Sequence, residues 1–341
     1  MTQEWTWPAD KLYQSLCIVF DENDDIPWMQ RNIAKRRLKK LYKRGDLHFD
    51  NLDPEWVWRL ACAELMQHRY NWLGWERRSK WCWELSTLAW FYKRWDGTPK
   101  KLLCLAEQGI GDEILFASCY PDLLMQNPDT TIEVDDRLIP VMERSFGDHF
   151  TTRYRKSVFG ERDPFQNNDY RGNYEAFIPC GNVPKLYRHK VSDFPRKAYL
   201  RTDHDSVLAW KHWLSMQGPG PYVGVSWKGS NTRELDPEDL ISGTAINLQY
   251  NDTHESLIQP PIDLKEDVDE VFALVKALDL VNCCPVWVLH VAGSVGTPCN
   301  VIRAPKVYGV ENNLMRFEFG QWDRMDWYDV ELFHGIEDFK R

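Results

Sequence analysis

The order of apolar runs in the 341-residue chain predicts an α/β architecture: two domains built on parallel sheets, preceded by a helical region. Two observations carry this. From Lys101 onward, short apolar runs alternate with amphipathic stretches, as strands alternate with helices over a parallel sheet. Glycine-bearing turns stand where strands hand over to helices. The first hundred residues instead mix apolar and charged residues without strand-like alternation and contain no run of β-branched residues.

In that first region, Pro27–Arg44, Asp53–His68 and Ser79–Trp95 are read as helices. Asp53-Pro54-Glu55 offers an N-cap followed by a proline at the first helical position, where a missing N–H costs nothing. Leu102–Ala106 is the first strand, followed by the glycine turn Glu107–Glu113 and a helix over Ile114–Leu124. Thr130–Val134 is a second strand and Asp136–Phe146 a second helix. A boundary falls between Pro195 and Pro221, around a helix from Asp205 to Met216 and the stretch Gln217-Gly218-Pro219-Gly220-Pro221. Beyond it come strands at Tyr222–Trp227, Ala245–Tyr250 and Leu280–Cys284, and helices at Val268–Leu278 and Val286–Val295, the latter closed by Gly296. The division is therefore 1–100, 101–204 and 205–341, and two α/β domains in tandem imply a cleft between them.

Composition removes several classes. The apolar runs are too short and interrupted to cross a bilayer. Met1–Asp10 has no basic segment leading into an apolar core, as a secretory signal would, so a cytoplasmic location is expected. Nine cysteines, an odd number without a Cys-x-x-Cys pair, read as reduced and mostly buried thiols. No His, Cys and carboxylate grouping has metal-ligand spacing, so no metal is expected. A net charge of -9 disfavours a surface given over to nucleic acid. The basic residues within 31–44 remain a local candidate for phosphate contacts, or else a solvated helix face balanced by the preceding acidic run. The 17 Trp, many in the first hundred residues, read mainly as core.

Three segments are able to carry chemistry, each with a plainer alternative. Gly109-Ile110-Gly111-Asp112 stands at a strand-to-helix turn, where glycines let a ligand approach the backbone and the helix N-terminus favours negative charge. It lacks the third glycine of a dinucleotide fingerprint and is equally a tight turn with Asp112 as a solvated helix residue. Ser226-Trp227-Lys228-Gly229-Ser230-Asn231 ends the strand that opens the second α/β domain, where such folds place binding loops, and Lys228 is a candidate phosphate partner or simply an exposed lysine. His290-Val291-Ala292-Gly293-Ser294 is a stretch of small residues around a histidine that either contacts a ligand or is a satisfied, semi-buried structural group.

Taken in order, these segments resemble the glycosyltransferases that follow tetratricopeptide repeats in bacteria and phages, relatives of the heptosyltransferase and O-GlcNAc transferase families. The resemblance covers roughly residues 60 to 300. Its most specific stretch is Glu107-Gln108-Gly109-Ile110-Gly111-Asp112-Glu113-Ile114-Leu115-Phe116-Ala117, supported by Glu133–Leu138, Gly181–Pro184, Phe194-Pro195 with Tyr199-Leu200, Gly224–Gly229 and Leu248-Gln249-Tyr250. Leu60–Lys80 looks like a degenerate last repeat, with no full repeat array before it. The resemblance implies a GT-B fold, two Rossmann-like domains facing a cleft with a helical N-terminal extension, and metal-independent, inverting transfer with no cofactor beyond a nucleotide-sugar co-substrate of UDP, GDP or ADP type. It assigns Asp112 as general base, Gly109 and Gly111 to a phosphate or acceptor loop, and Ser226, Lys228, Gln249, Tyr250, His290, Gly293 and Ser294 to the donor. The sequence departs from the pattern at Pro285-Val286, where relatives carry Asp-Thr. That departure keeps open a catalytically degenerate binding or assembly protein, and the phage relatives keep open a transferase acting on modified DNA.

Overall fold

The computed structural model describes residues 93–107, 109–153, 173–229, 234–302, 327–333 and 336–340, together with Trp72. The chain divides into two compact units, Met1–Trp81 with Val310–Gln321, and Cys82–Gly309 with Trp322–Arg341. In the first only Trp72, a buried helical residue, is described. The helices expected at 27–44 and 53–68, the degenerate repeat at 60–80 and the basic 31–44 segment otherwise lie outside the described residues, while the helix expected over Ser79–Trp95 does not reach its predicted end: residues 93–95 are extended, and Arg94 forms a parallel bridge with Phe177, which takes up the backbone groups a helix would need. Both sheets belong to the second unit.

The first sheet is wholly parallel: β1 (Leu102–Leu105), β2 (Thr130–Val134), β3 (Phe150–Thr152) and β4 (Ala176–Pro179), in the order β3-β2-β1-β4. Every residue of β1 is buried, as the unbroken apolar run Leu-Leu-Cys-Leu requires of a strand covered on both faces. After β1 comes α1 (Ile110–Ala117), then α2 (Tyr120–Gln126), in place of one helix over 114–124. The Cys119 amide bonds to the Phe116 carbonyl, and Pro121 opens the second helix in the first turn, where its missing N–H leaves no gap in the ladder. α3 (Ile139–Phe146) follows a short 3-10 turn at Asp136–Leu138 whose N-cap is Asp135.

After α4 (Pro184–Tyr187) and α5 (His204–Ser215) comes the second parallel sheet. Its strands are β5 (Tyr222–Ser226), β6 (Thr244–Asn247), β7 (Leu280–Cys283), β8 (Cys299–Ile302) and β9 (Glu331–Phe333), in the order β6-β5-β7-β8-β9. Its helices are α6 (Val268–Ala277), α7 (Trp287–Val295) and α8 (Ile336–Phe339). Helix α7 is buried from Val288 to Val295 and stops at Gly296, whose φ of 74° is the left-handed cap that glycine supplies most readily. Glu270 of α6 accepts from Ser206 Oγ (2.9 Å) and Trp210 Nε1 (2.8 Å), which fastens α5 to the second sheet's helical layer.

Elements of the two sheets also touch directly. Arg144 of α3 reaches both oxygens of Asp269 on α6 (2.9 and 2.7 Å), and Arg137 Nη1 donates to the Lys265 carbonyl (2.7 Å). Helices α1 and α7 pack against each other. Strand order reverses direction between β1 and β4 in the first sheet and between β5 and β7 in the second. Ligands of open α/β sheets bind in the crevice beyond the carboxyl ends of strands at such a reversal. The segments at those points are 106–107 with Gly109, and 180–182, in the first sheet, and 227–229 and 284–286 in the second.

Candidate functional site

Beyond β1 and β4 the chain ends are held by buried carboxylates. Glu107 accepts from the Gly181 amide across the strand reversal (2.7 Å), and Glu133 accepts from the Ala106 amide (3.3 Å). Gly109 is the N-cap of α1 with extended backbone, and its amide donates to the Asp112 carboxylate at 3.1 Å. Asp112 is buried in the first turn of α1, where the helix dipole favours a negative charge.

Glu113, the next residue, faces elsewhere. It is fully buried and takes Arg153 on one oxygen and the Asp135 amide on the other (2.6 Å). Burial pushes its carboxyl from 4.5 up to about 7, with Arg153 pulling the other way. The native state therefore binds a proton that the unfolded chain has released between those two values, so this group's stabilisation is complete below pH 4.5 and is lost as pH rises toward 7. Comparison of the wild type with Glu113→Gln by denaturant unfolding is expected to show the wild type losing about 3 kcal/mol relative to the variant across that window. A difference that does not vary with pH would refute the assignment.

The Gly109–Asp112 turn meets helix α7. A methyl group at Gly111 would lie 3.0 Å from His290 Cδ2 and 3.4 Å from the Trp287 backbone, so glycine is what allows the two helices to approach this closely. His290 is buried, and its Nδ1 lies 3.1 Å from the Tyr328 hydroxyl. That hydroxyl lies 3.2 Å from the hydroxyl of Tyr199, which in turn donates to the Ile114 carbonyl of α1 at 2.7 Å. Burial pushes both phenols above their ordinary range, and at Tyr328 the neighbouring Tyr199 and the Asp112 carboxylate add to the effect. The Tyr328 ring lies on Gly293, while Trp327 packs edge-on against Phe116 and Phe194.

The remaining expected donor residues form a second cluster beyond β5. Gln249 Oε1 accepts from Ser226 Oγ (3.1 Å) and from the Lys228 amide (2.9 Å), so it shapes the loop that carries the lysine. The Lys228 ammonium is half-exposed, 3.3 Å from Glu234 and 3.8 Å from Asp252. Tyr250 is exposed beside Asn251, whose φ is 62°. The Cys284 amide bonds to the Ser226 carbonyl at 3.0 Å, which sets the approach to α7 beside this loop. The structure thus brings Gly109, Gly111, Asp112 and His290 together and gathers Ser226, Lys228, Gln249 and Tyr250 along the neighbouring strand ends. Gly293 and Ser294 are engaged within the protein: Gly293 lies under Tyr328, Ser294 Oγ donates to the Val291 carbonyl, and the Ser294 carbonyl accepts from the Tyr199 and Leu200 amides. Gln108, Ser230 and Asn231 lie outside the described residues. Sequence reasoning assigned no role to Tyr328, whose position against His290 only the fold reveals.

Among the described residues, no group of three or more His, Cys, Asp or Glu is placed to hold a metal ion, and no helix is long and apolar enough to cross a membrane. Six described cysteines are buried and free.

No family model matches the chain. Over 241 residues it is 35% identical to Protein FlbA of Caulobacter vibrioides (strain ATCC 19089 / CIP 103742 / CB 15), a match covering 60% of this chain and 40% of that protein. The chain thus spans well under half the length of that curated relative. Among solved structures it is similar to the crystal structure of the glycosyl transferase family 9 from Veillonella parvula DSM 2008, with a TM-score of 0.50 and 11% identity over 72% of this chain and 89% of that one. At that identity the likeness is one of fold.

Proposed function

We propose that the chain transfers a sugar from a nucleotide-sugar to a hydroxyl acceptor in the cytoplasm, without metal and with inversion, through a GT-B arrangement. In this reading residues 101–204 receive the acceptor and residues 205–341 hold the donor. The observation that supports it best is the meeting of the Asp112 turn with the His290 helix, each beyond the carboxyl ends of its own parallel sheet. Asp112 takes the proton of the acceptor hydroxyl as its oxygen bonds to the anomeric carbon, while the bond from that carbon to the diphosphate breaks on the opposite face. Charge then develops on the departing diphosphate. The Lys228 ammonium and the backbone amides opening α7 are the groups suited to stabilise it. The shared fold with a protein titled glycosyl transferase family 9 supports the same reading.

A second reading is favoured by one feature. Helix α7 opens at Pro285-Val286, and Val286, its N-cap, supplies no side-chain cap where a polar residue would. A chain so altered binds a nucleotide or a partner without turning over a sugar.

One screen tests both. Thermal unfolding is followed with UDP, GDP, ADP and CMP and their common sugars, without added metal, for the wild type and Lys228→Ala. A ligand at a hundredfold excess over its Kd stabilises the native state by about 2.7 kcal/mol. The transferase reading expects a rise with one nucleotide family that the variant largely loses, together with sugar release from that donor. A rise without release supports the binding reading, and no rise with any of them removes the donor site.

A further inference from the structure

We propose that Glu234 and Asp252 loosen the hold of the donor site on the departing nucleoside diphosphate more than on the nucleotide-sugar, so that donor is kept and product released. This rests on the donor-site reading above, in which Lys228 meets the phosphates, and adds the groups that stand around that lysine. Its ammonium lies 3.3 Å from Glu234 and 3.8 Å from Asp252.

Both carboxylates are carried by backbone fixed beside the lysine. Lys228 and Glu234 face each other in an antiparallel bridge, and the Leu235 amide donates to the Trp227 carbonyl at 2.9 Å next to it. Asp252 closes the turn that leaves β6. Its carbonyl accepts from Asn247 Nδ2 (3.0 Å) and its Oδ1 from the Thr253 amide (3.0 Å), while Oδ2 is the oxygen nearest the lysine. Asn247 is buried at the end of β6 and also donates to Gln259 Oε1 (2.6 Å), which ties the turn to the sheet. Exposed ion pairs of this kind add little to folding stability. Their larger effect falls on a charged ligand.

A phosphate oxygen in hydrogen-bond contact with the ammonium, at about 2.8 Å, stands within about 7 Å of either carboxylate oxygen. At that range each unit of ligand charge is repelled by each carboxylate with about a threefold loss of affinity in water-like surroundings. Donor and product differ by one such charge. When the bond from the anomeric carbon to the diphosphate breaks, its electron pair stays on the terminal phosphate oxygen. That phosphate then has a second ionisation near pH 6, which the nucleotide-sugar lacks. Lys228 alone would therefore hold the product more tightly than the donor. The two carboxylates offset that excess, because their repulsion also grows with the added charge.

The test is calorimetric titration of the full chain at pH 8 and low salt with UDP and UDP-glucose, GDP and GDP-mannose, and ADP and ADP-glucose. The proteins are the wild type, Glu234→Gln, Asp252→Asn and the double variant. Both substitutions keep side-chain size, and an asparagine oxygen at 252 still accepts from the Thr253 amide. For the pair that binds, affinity for the diphosphate relative to its sugar is expected to rise about threefold in each single variant and about tenfold in the double. The rise should shrink in about 0.5 M salt, where the Debye length falls to about 4 Å. An unchanged relative affinity in the double variant, or a rise that persists in full at high salt, would overturn the inference and leave the donor site standing. Weaker binding of both ligands in the variants would overturn it in favour of carboxylates that touch the ligand or only hold the lysine in place. Binding of none of the six compounds to the wild type or the double variant would overturn the diphosphate donor site itself.

Discussion

Asp112→Asn is expected to lower the rate of sugar transfer by about 10²- to 10⁴-fold, the contribution of a positioned general base. The fold should tolerate the change. The asparagine side-chain oxygen still accepts from the Gly109 amide at the start of α1, so the turn is kept while the proton acceptor is lost. Donor binding, followed by thermal shift, should be nearly unaltered, because Asp112 belongs to the helix opposite His290. That split between rate and binding separates a catalytic carboxylate from a capping one. Unchanged turnover in the variant would rule out Asp112 as the base and return it to its capping role alone.

Gly293→Ala is expected to destabilise the protein by about 3–5 kcal/mol, the scale of removing a buried aromatic ring. The added methyl would stand 2.3 Å from two ring carbons of Tyr328, a separation no side chain tolerates. Tyr328 is buried, and its ring is flanked by those of His290 and Tyr199, with centroids 5.7 and 6.4 Å away. The ring must leave its site. Denaturant unfolding of a double-mutant cycle isolates the clash, since in a Tyr328→Ala background the same alanine should cost little. Equal costs in the two backgrounds would show that Tyr328 is not what Gly293 accommodates.

Much of the second unit could be read from sequence because its central strands and helices announce themselves locally. Leu102–Leu105, Thr130–Val134 and Val268–Ala277 fall within a residue of expectation, since an apolar run or a helical period is an intrinsic property of the segment. The strands at Phe150–Thr152, Ala176–Pro179, Cys299–Ile302 and Glu331–Phe333 were not anticipated. They are three or four residues long, too short for periodicity to register, and they owe their strand character to the neighbour they pair with. The Asp112 turn was legible because strand, glycine and helix are contiguous there. The Tyr199, Tyr328 and His290 chain was not, because its members come from separate parts of the sequence and meet only when α1 and α7 pack.

That separation also imposes an order in time. A nascent chain emerging at about 5–20 residues per second presents Gly293 and His290 a few seconds before Tyr328 exists to cover them. Through that interval the imidazole lacks the phenol that lies against it, and the face of α7 destined for Tyr328 is uncovered. Assembly of this region during synthesis therefore finishes with residues far downstream of the motif that defines it. A ribosome stalled between Val295 and Trp327 would carry both halves of the strand-reversal crevice but not the group that orients its histidine.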